Sequence, residues 1–191
     1  MYFEKVFFEL NLLIFKTQFS YVMNASPREM YQTQEKREQV LSSPIATTNP
    51  NAWLGDGYYF WYDEKDAIWW GRTAKRNTGH YEVYQATINC ENVLDTVFNE
   101  EHYKFWISNI ERALSKFLNN DKNNISLKYI NDFFKERNVF DGIDGVMFQD
   151  ITDNPEHWIV KKFQYKKRIQ LAVYNSTIIT NFALRFDAEC D

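Results

Sequence analysis

The chain has 191 residues, a length that suits one domain with a substantial core and leaves no room for two full ones. Its 22 lysines and arginines against 26 aspartates and glutamates give a net charge of −4, which excludes a general polyanion binder and an acidic solvating tail. Two cysteines without a CxxC pair and three scattered histidines exclude a disulfide framework and a cysteine-built zinc centre, so no metal is expected and the reading is a reducing, cytoplasmic setting.

The first sixteen residues look apolar, but Glu4, Lys5, Glu9 and Asn11 interrupt them. They fit neither a spanning helix of roughly 20 apolar residues nor a signal peptide, so a packed amphipathic element and no membrane partner are expected. Residues 19–23 read as a short strand. Ser26-Pro27-Arg28-Glu29 is a capping box with proline at the first helical position, and it predicts a helix over 27–41. Pro44, Pro50 and a Thr-Thr-Asn cluster make 42–51 a loop of functional length. An aromatic strand follows, ending at Trp61 and entered through Gly55 and Gly57. Asp63 then caps a helix running to about Lys75.

Residues 81–90 alternate as a strand, with Tyr81, Val83, Gln85 and Thr87 on one face and Tyr84, Ala86 and Ile88 on the other. Helices are predicted over 100–118 and 127–137, a turn at 141–145, and strands at 146–151, 163–165, 169–174 and 178–186. There is no internal repeat and no regular βαβ alternation. The expected class is α+β: a single domain over 1–191, built on a mixed sheet with peripheral helices and a helical segment at about 100–137.

One segment points to chemistry. In Gly55-Asp-Gly57-Tyr58-Tyr59-Phe60 the glycines let the backbone approach a ligand closely, and an aromatic strand begins at once. Trp70 lies eleven residues beyond Tyr59, and Ala67 sits one helical turn before Trp70. A strand-borne Tyr59 facing a helix-borne Trp70 would suit a planar cationic heterocycle. Stacking contributes about 0.5–1.5 kcal/mol, and a cation over an aromatic face about 0.5–2 kcal/mol. The alternative is that both rings are core aromatics, since Phe, Tyr and Trp make up 18% of the chain.

Leu54-Gly-Asp-Gly-Tyr-Tyr-Phe60 resembles the Gly-x-Gly-x-Tyr-Phe motif of ADP-ribosyltransferases of the poly(ADP-ribose) polymerase and diphtheria-toxin-like branch. The resemblance implies an ADP-ribosyltransferase-like fold with NAD as substrate. It places the nicotinamide between Tyr59 and Trp70, with Gly57 and Ala67 at its carboxamide. Ile169-Gln-Leu-Ala-Val-Tyr-Asn175 resembles the family's late strand, and Gln170 stands where that strand carries its catalytic glutamate. Residues 19–25 match the position of the first motif, whose histidine contacts the NAD ribose. That segment has no histidine, more than one register fits it, and Asn24 is the polar substitute.

Gln170 keeps a hydrogen-bonding partner for the ribose 2′-hydroxyl but lacks the negative charge that would stabilise a developing oxocarbenium ion. The resemblance therefore implies transfer of a single ADP-ribose to a macromolecular acceptor, or slow NAD hydrolysis, with Gln170 and Tyr59 as the catalytic residues. Its rivals are a non-catalytic module of the same fold that binds NAD, ADP-ribose or a partner, and an RNA-processing enzyme. A toxin-like role, with an inhibitory or antitoxin partner, belongs to the same expectation.

Lys161-Lys-Phe-Gln-Tyr-Lys-Lys-Arg168 holds five basic residues in eight and ends two positions before Gln170. It reads either as a solvated edge or as a strip facing an anionic acceptor. On the second reading Lys166, Lys167 and Arg168 bind the acceptor, protein or nucleic acid.

Overall fold

The computed structural model describes residues 27–74, 77–117, 124–150, 158–160, 163–164 and 167–190, with the backbone alone for 158–160 and 163–164. Among these residues the architecture is α+β. Seven strands form one mixed sheet in the order β4-β5-β8-β2-β1-β3-β9, with three helices, and β6 and β7 pair separately. The elements are β1 (Arg28–Glu35), β2 (Tyr58–Trp61), α1 (Glu64–Ala74), β3 (His80–Ile88), β4 (Val93–Asp95), α2 (Glu100–Phe117) and α3 (Leu127–Glu136). They continue with β5 (Gly145–Asp150), β6 (Trp158–Val160), β7 (Phe163–Gln164), β8 (Arg168–Val173) and β9 (Ile179–Glu189). Among the described strands only β4 and β5 run parallel.

The helix expected over 27–41 is not there. Residues Arg28–Glu35 form β1, which pairs with β3 from Arg28↔Ile88 to Glu35↔Tyr81 and meets β2 at Tyr31↔Trp61. The capping box is a purely local signal, and pairing on both sides overrides it. Met30 packs with Phe60 and Ile88 on one face of the sheet, whereas Tyr31 and Thr33 face α1, where the Thr33 hydroxyl donates to the Ala67 carbonyl at 2.7 Å. The strand expected at 19–23 lies outside the described residues.

The other expected elements within the described residues fall close to their expected positions, β4 and β6 are strands that no expectation covered, and the alternation of β3 holds. Tyr81 and Val83 pack with Trp61 and Ala67 beneath α1, while Ala86 and Ile88 join the opposite cluster. Helix α1 lies very close to the sheet at Gly71, where a Cβ would stand 2.1 Å from the Tyr81 ring. Helices α2 and α3 cover the other end of the same face through Trp106, Ala113, Ile130 and Phe134, packed on Val146, Ala172 and Tyr59. No described helix is long and apolar enough to cross a membrane.

His102 ties α2 to β4. Asn99 caps the helix by accepting from the Glu101 and His102 amides, and His102 Nδ1 accepts the Asp95 N–H at 3.0 Å. Burial lowers the His102 pKa below its ordinary 6.5, against the opposing pull of Asp95. The unfolded chain therefore binds a proton that the folded chain resists, and this contribution to stability is present above pH 6.5 and lost as pH falls through the folded value. The melting temperature should drop as pH is lowered from 7.5 through about 6, before the carboxylates titrate. His102→Gln should flatten that part of the curve, and a wild-type curve flat across it would exclude the assignment.

Candidate functional site

Cross-strand partners share a face of a sheet, so the registers define rows of side chains. One row runs Phe148–Gln170–Trp61–Tyr31–Gln85 across β5, β8, β2, β1 and β3. Gln170 is half-buried between two aromatic neighbours. Phe148 is met edge-on by Trp106 at 5.4 Å and by Trp53 at 6.3 Å, and on the other side Trp61 meets Trp70 at 5.9 Å between ring centroids. The Gly-x-Gly-x-Tyr-Phe strand and the Gln170 strand, more than a hundred residues apart in the chain, are thus hydrogen-bonded neighbours.

Tyr59 belongs to the next row, with Ala172 and Val146, and packs into the cluster under α2 and α3. Its hydroxyl donates to the Gly55 carbonyl at 2.8 Å and accepts the Leu54 amide at 2.9 Å, and burial pushes its pKa far up. The ring partner of Trp70 is therefore Trp61 rather than Tyr59. Period-two alternation puts Trp61 on the same face as Tyr59 but nearer α1, and that is the residue the spacing argument passed over. Ala67 is fully buried against Trp61, Tyr81 and Val83 and has no surface to offer a carboxamide.

Gly57 is engaged by its own chain. Its N–H donates to Thr47 O and its carbonyl accepts the Thr47 N–H, at 3.2 and 2.8 Å, fastening loop 42–51 to the mouth of β2. Gln32 fastens the same loop by binding both backbone groups of Ile45, and it also donates to the Tyr59 carbonyl. Helix α3 grips the Gly-Asp-Gly turn from the other side. Lys128 pairs with Asp56 at 2.6 Å, and Lys135 donates to the Asp56 carbonyl at 2.9 Å with its ammonium 3.8 Å from the centre of the Tyr174 ring. Burial lowers the Lys135 pKa despite the nearby carboxylates of Asp132 and Asp56.

The basic strip divides. Arg168 is only 3% exposed, the reverse of an acceptor-facing cation. Its place on β8 puts it on the Gln170 face, with the guanidinium 4.7 Å from the Trp61 ring and 4.2 Å from the Trp69 ring. Asp150 lies 3.4 Å from Nη2 and Asp66 3.8 Å from Nε, yet neither nitrogen has a hydrogen-bond partner among the described residues. Burial draws its pKa down while the two carboxylates oppose that shift. Lys167 is exposed. Lys166 and Asn24 lie outside the described residues.

Among the described residues no group of three or more His, Cys, Asp or Glu side chains could hold a metal ion. Comparison with known proteins finds no matching family model, no matching curated protein and no matching solved structure.

Proposed function

We propose that the chain is an ADP-ribosyltransferase-like domain that binds NAD against the exposed ring of Trp70, which packs on Trp61, and transfers a single ADP-ribose to a macromolecular acceptor. The observation that carries this reading is the Trp61↔Gln170 pairing, which joins the two segments resembling family motifs at the centre of one sheet. Trp70 is 38% exposed, which leaves its ring within reach of a pyridinium. Gln170 offers an amide to the ribose hydroxyls. In the reaction the glycosidic C–N bond breaks with its electron pair leaving on nicotinamide, the acceptor nucleophile bonds to the anomeric carbon, and the acceptor's proton goes to solvent. The row that holds Gln170 contains no carboxylate, so positioning rather than charge stabilisation would supply most of the rate, and polymer elongation is not expected.

The test is nicotinamide release alongside NAD titration followed by tryptophan fluorescence. Gln170→Ala should lower turnover about tenfold or more and leave NAD affinity nearly unchanged, since a single transition-state hydrogen bond is removed. Trp70→Ala should instead weaken NAD binding by about 1 kcal/mol. NAD that changes neither fluorescence nor melting temperature would defeat the proposal. The second reading, a module of the same fold that binds NAD, ADP-ribose or a partner without catalysis, is favoured by the large Trp61 ring directly opposite Gln170. Binding of NAD with no release of nicotinamide would select it.

A further inference from the structure

Past Trp61 the chain turns outward, and the Tyr62 amide donates to the Ile169 carbonyl at 2.9 Å, next to Gln170. Tyr62 and Phe98 are 39% and 53% exposed, yet their rings lie 5.6 Å apart, inclined at 47°. Two cations flank them. The Arg28 guanidinium stands 5.6 Å from the Tyr62 ring centre and 5.3 Å from that of Phe98, and the Lys167 ammonium stands 5.8 Å from Phe98. Asp95 is the carboxylate of the group, and it is already engaged. It accepts from Arg28 at 3.4 Å and from the Val97 and Phe98 amides at 3.1 and 2.9 Å, which holds Phe98 in place.

Two large rings open to water, in contact with each other and with cations beside them, form a stacking platform rather than core. Cations beside such rings match a ligand that alternates flat faces with negative charge. We propose that this surface binds single-stranded nucleic acid, with bases stacked on Phe98 and Tyr62 and backbone phosphates held by Lys167 and Arg28. A protein partner with an acidic surface would use the two cations but not the rings. An unpaired strand uses both, because every base has a π-face and every linkage a charge.

The experiment is fluorescence anisotropy of a labelled oligo-dT with the full chain, without NAD, across a salt series. An abasic oligonucleotide of equal charge and an acidic peptide of equal charge serve as competitors. Oligo-dT should bind, and both competitors should displace it at least tenfold less well. Phe98→Ala should weaken binding about tenfold, the lower part of the range for one stacked base. Lys167→Gln should flatten the log–log salt dependence by about 0.7, the value for one phosphate contact on a single strand. Tyr129→Ala, which removes another exposed ring, on α3, should change nothing. Because Phe98 and Lys167 are exposed, neither substitution should unfold the chain, and an unchanged melting temperature confirms that. Each of these outcomes overturns the proposal: no binding at about 100 μM protein, the weak end of sequence-independent affinity; equal competition by the abasic strand or the peptide; or Phe98→Ala binding as well as wild type. The assay contains no NAD, so it stands whether or not nicotinamide release is found.

Discussion

Arg168→Ala should lower the free energy of unfolding by about 3–4 kcal/mol, far more than the roughly 0.5 kcal/mol that a solvated arginine in a Lys-rich run would cost. The guanidinium lies 4.7 Å from the Trp61 ring centre and 4.2 Å from that of Trp69, and is flanked by Asp66 and Asp150. Removing it deletes two cation–aromatic contacts and takes the positive charge away from two partly buried carboxylates. Lysine should restore only part of the loss, because a compact, strongly hydrated ammonium interacts with aromatic rings less well than a guanidinium does. Arg168→Met combined with Asp66→Asn and Asp150→Asn should be more stable than Arg168→Met alone, since both carboxylates lose the cation beside them. Urea denaturation of the four proteins measures this. A loss below 1 kcal/mol for Arg168→Ala would mean that the side chain is solvated after all. Because Trp61 stands opposite Gln170, the surviving fraction of Arg168→Lys should also show altered tryptophan emission on NAD titration.

The residues that sequence reasoning located and those it missed differ in the kind of information they need. The capped helix after Asp63, the alternating strand at 80–88 and the paired helices at 100–117 and 127–136 rest on local periodicity, which a single sequence displays. β1 was misread because Ser26-Pro27-Arg28-Glu29 is a strong local start signal, whereas its strand state depends on β2 and β3, both distant in the chain. β4, with three residues, is too short to show a period, and its parallel pairing with β5 involves residues about fifty positions away. At the proposed site, Gln170 and Trp70 stand at fixed offsets in the segments that carry the family resemblance. Trp61 and Phe148 were not legible there, because only the register of β8 between β2 and β5 makes them neighbours of Gln170. Arg168 shows the limit most clearly. Within a run of like charges nothing local separates Arg168, buried beside Trp69, from the exposed Lys167 that precedes it.

The same distinction decides what the two glycines of the motif are for, and alanine substitution separates the possibilities. Gly57 does not use a left-handed backbone, but a Cβ there would stand 2.7 Å from the Val173 carbonyl oxygen and 3.3 Å from the Tyr174 ring. The obstacle is backbone of the adjacent strand, which cannot swing aside. Relief requires β2 to part from β8 or loop 42–51 to give up its two hydrogen bonds to Gly57. Overpacking of this kind costs about 1–3 kcal/mol and each lost hydrogen bond about 0.5–1.5 kcal/mol, so Gly57→Ala should cost about 3 kcal/mol. Gly55 is a different case. Its φ is +84°, and a Cβ would meet the movable Asp132 carboxylate at 2.7 Å, so Gly55→Ala should cost about 1–2 kcal/mol, mostly from the left-handed backbone. Gly79, with φ +71° and open space around it, gives the cost of the backbone angle alone. Thermal unfolding of the three alanine variants should therefore rank them Gly57, Gly55, Gly79 from most to least damaging. A stable Gly57→Ala protein with impaired NAD binding would reverse this assignment and make the glycine a ligand contact, whereas an unstable one whose folded fraction binds NAD normally makes it a seam between strands.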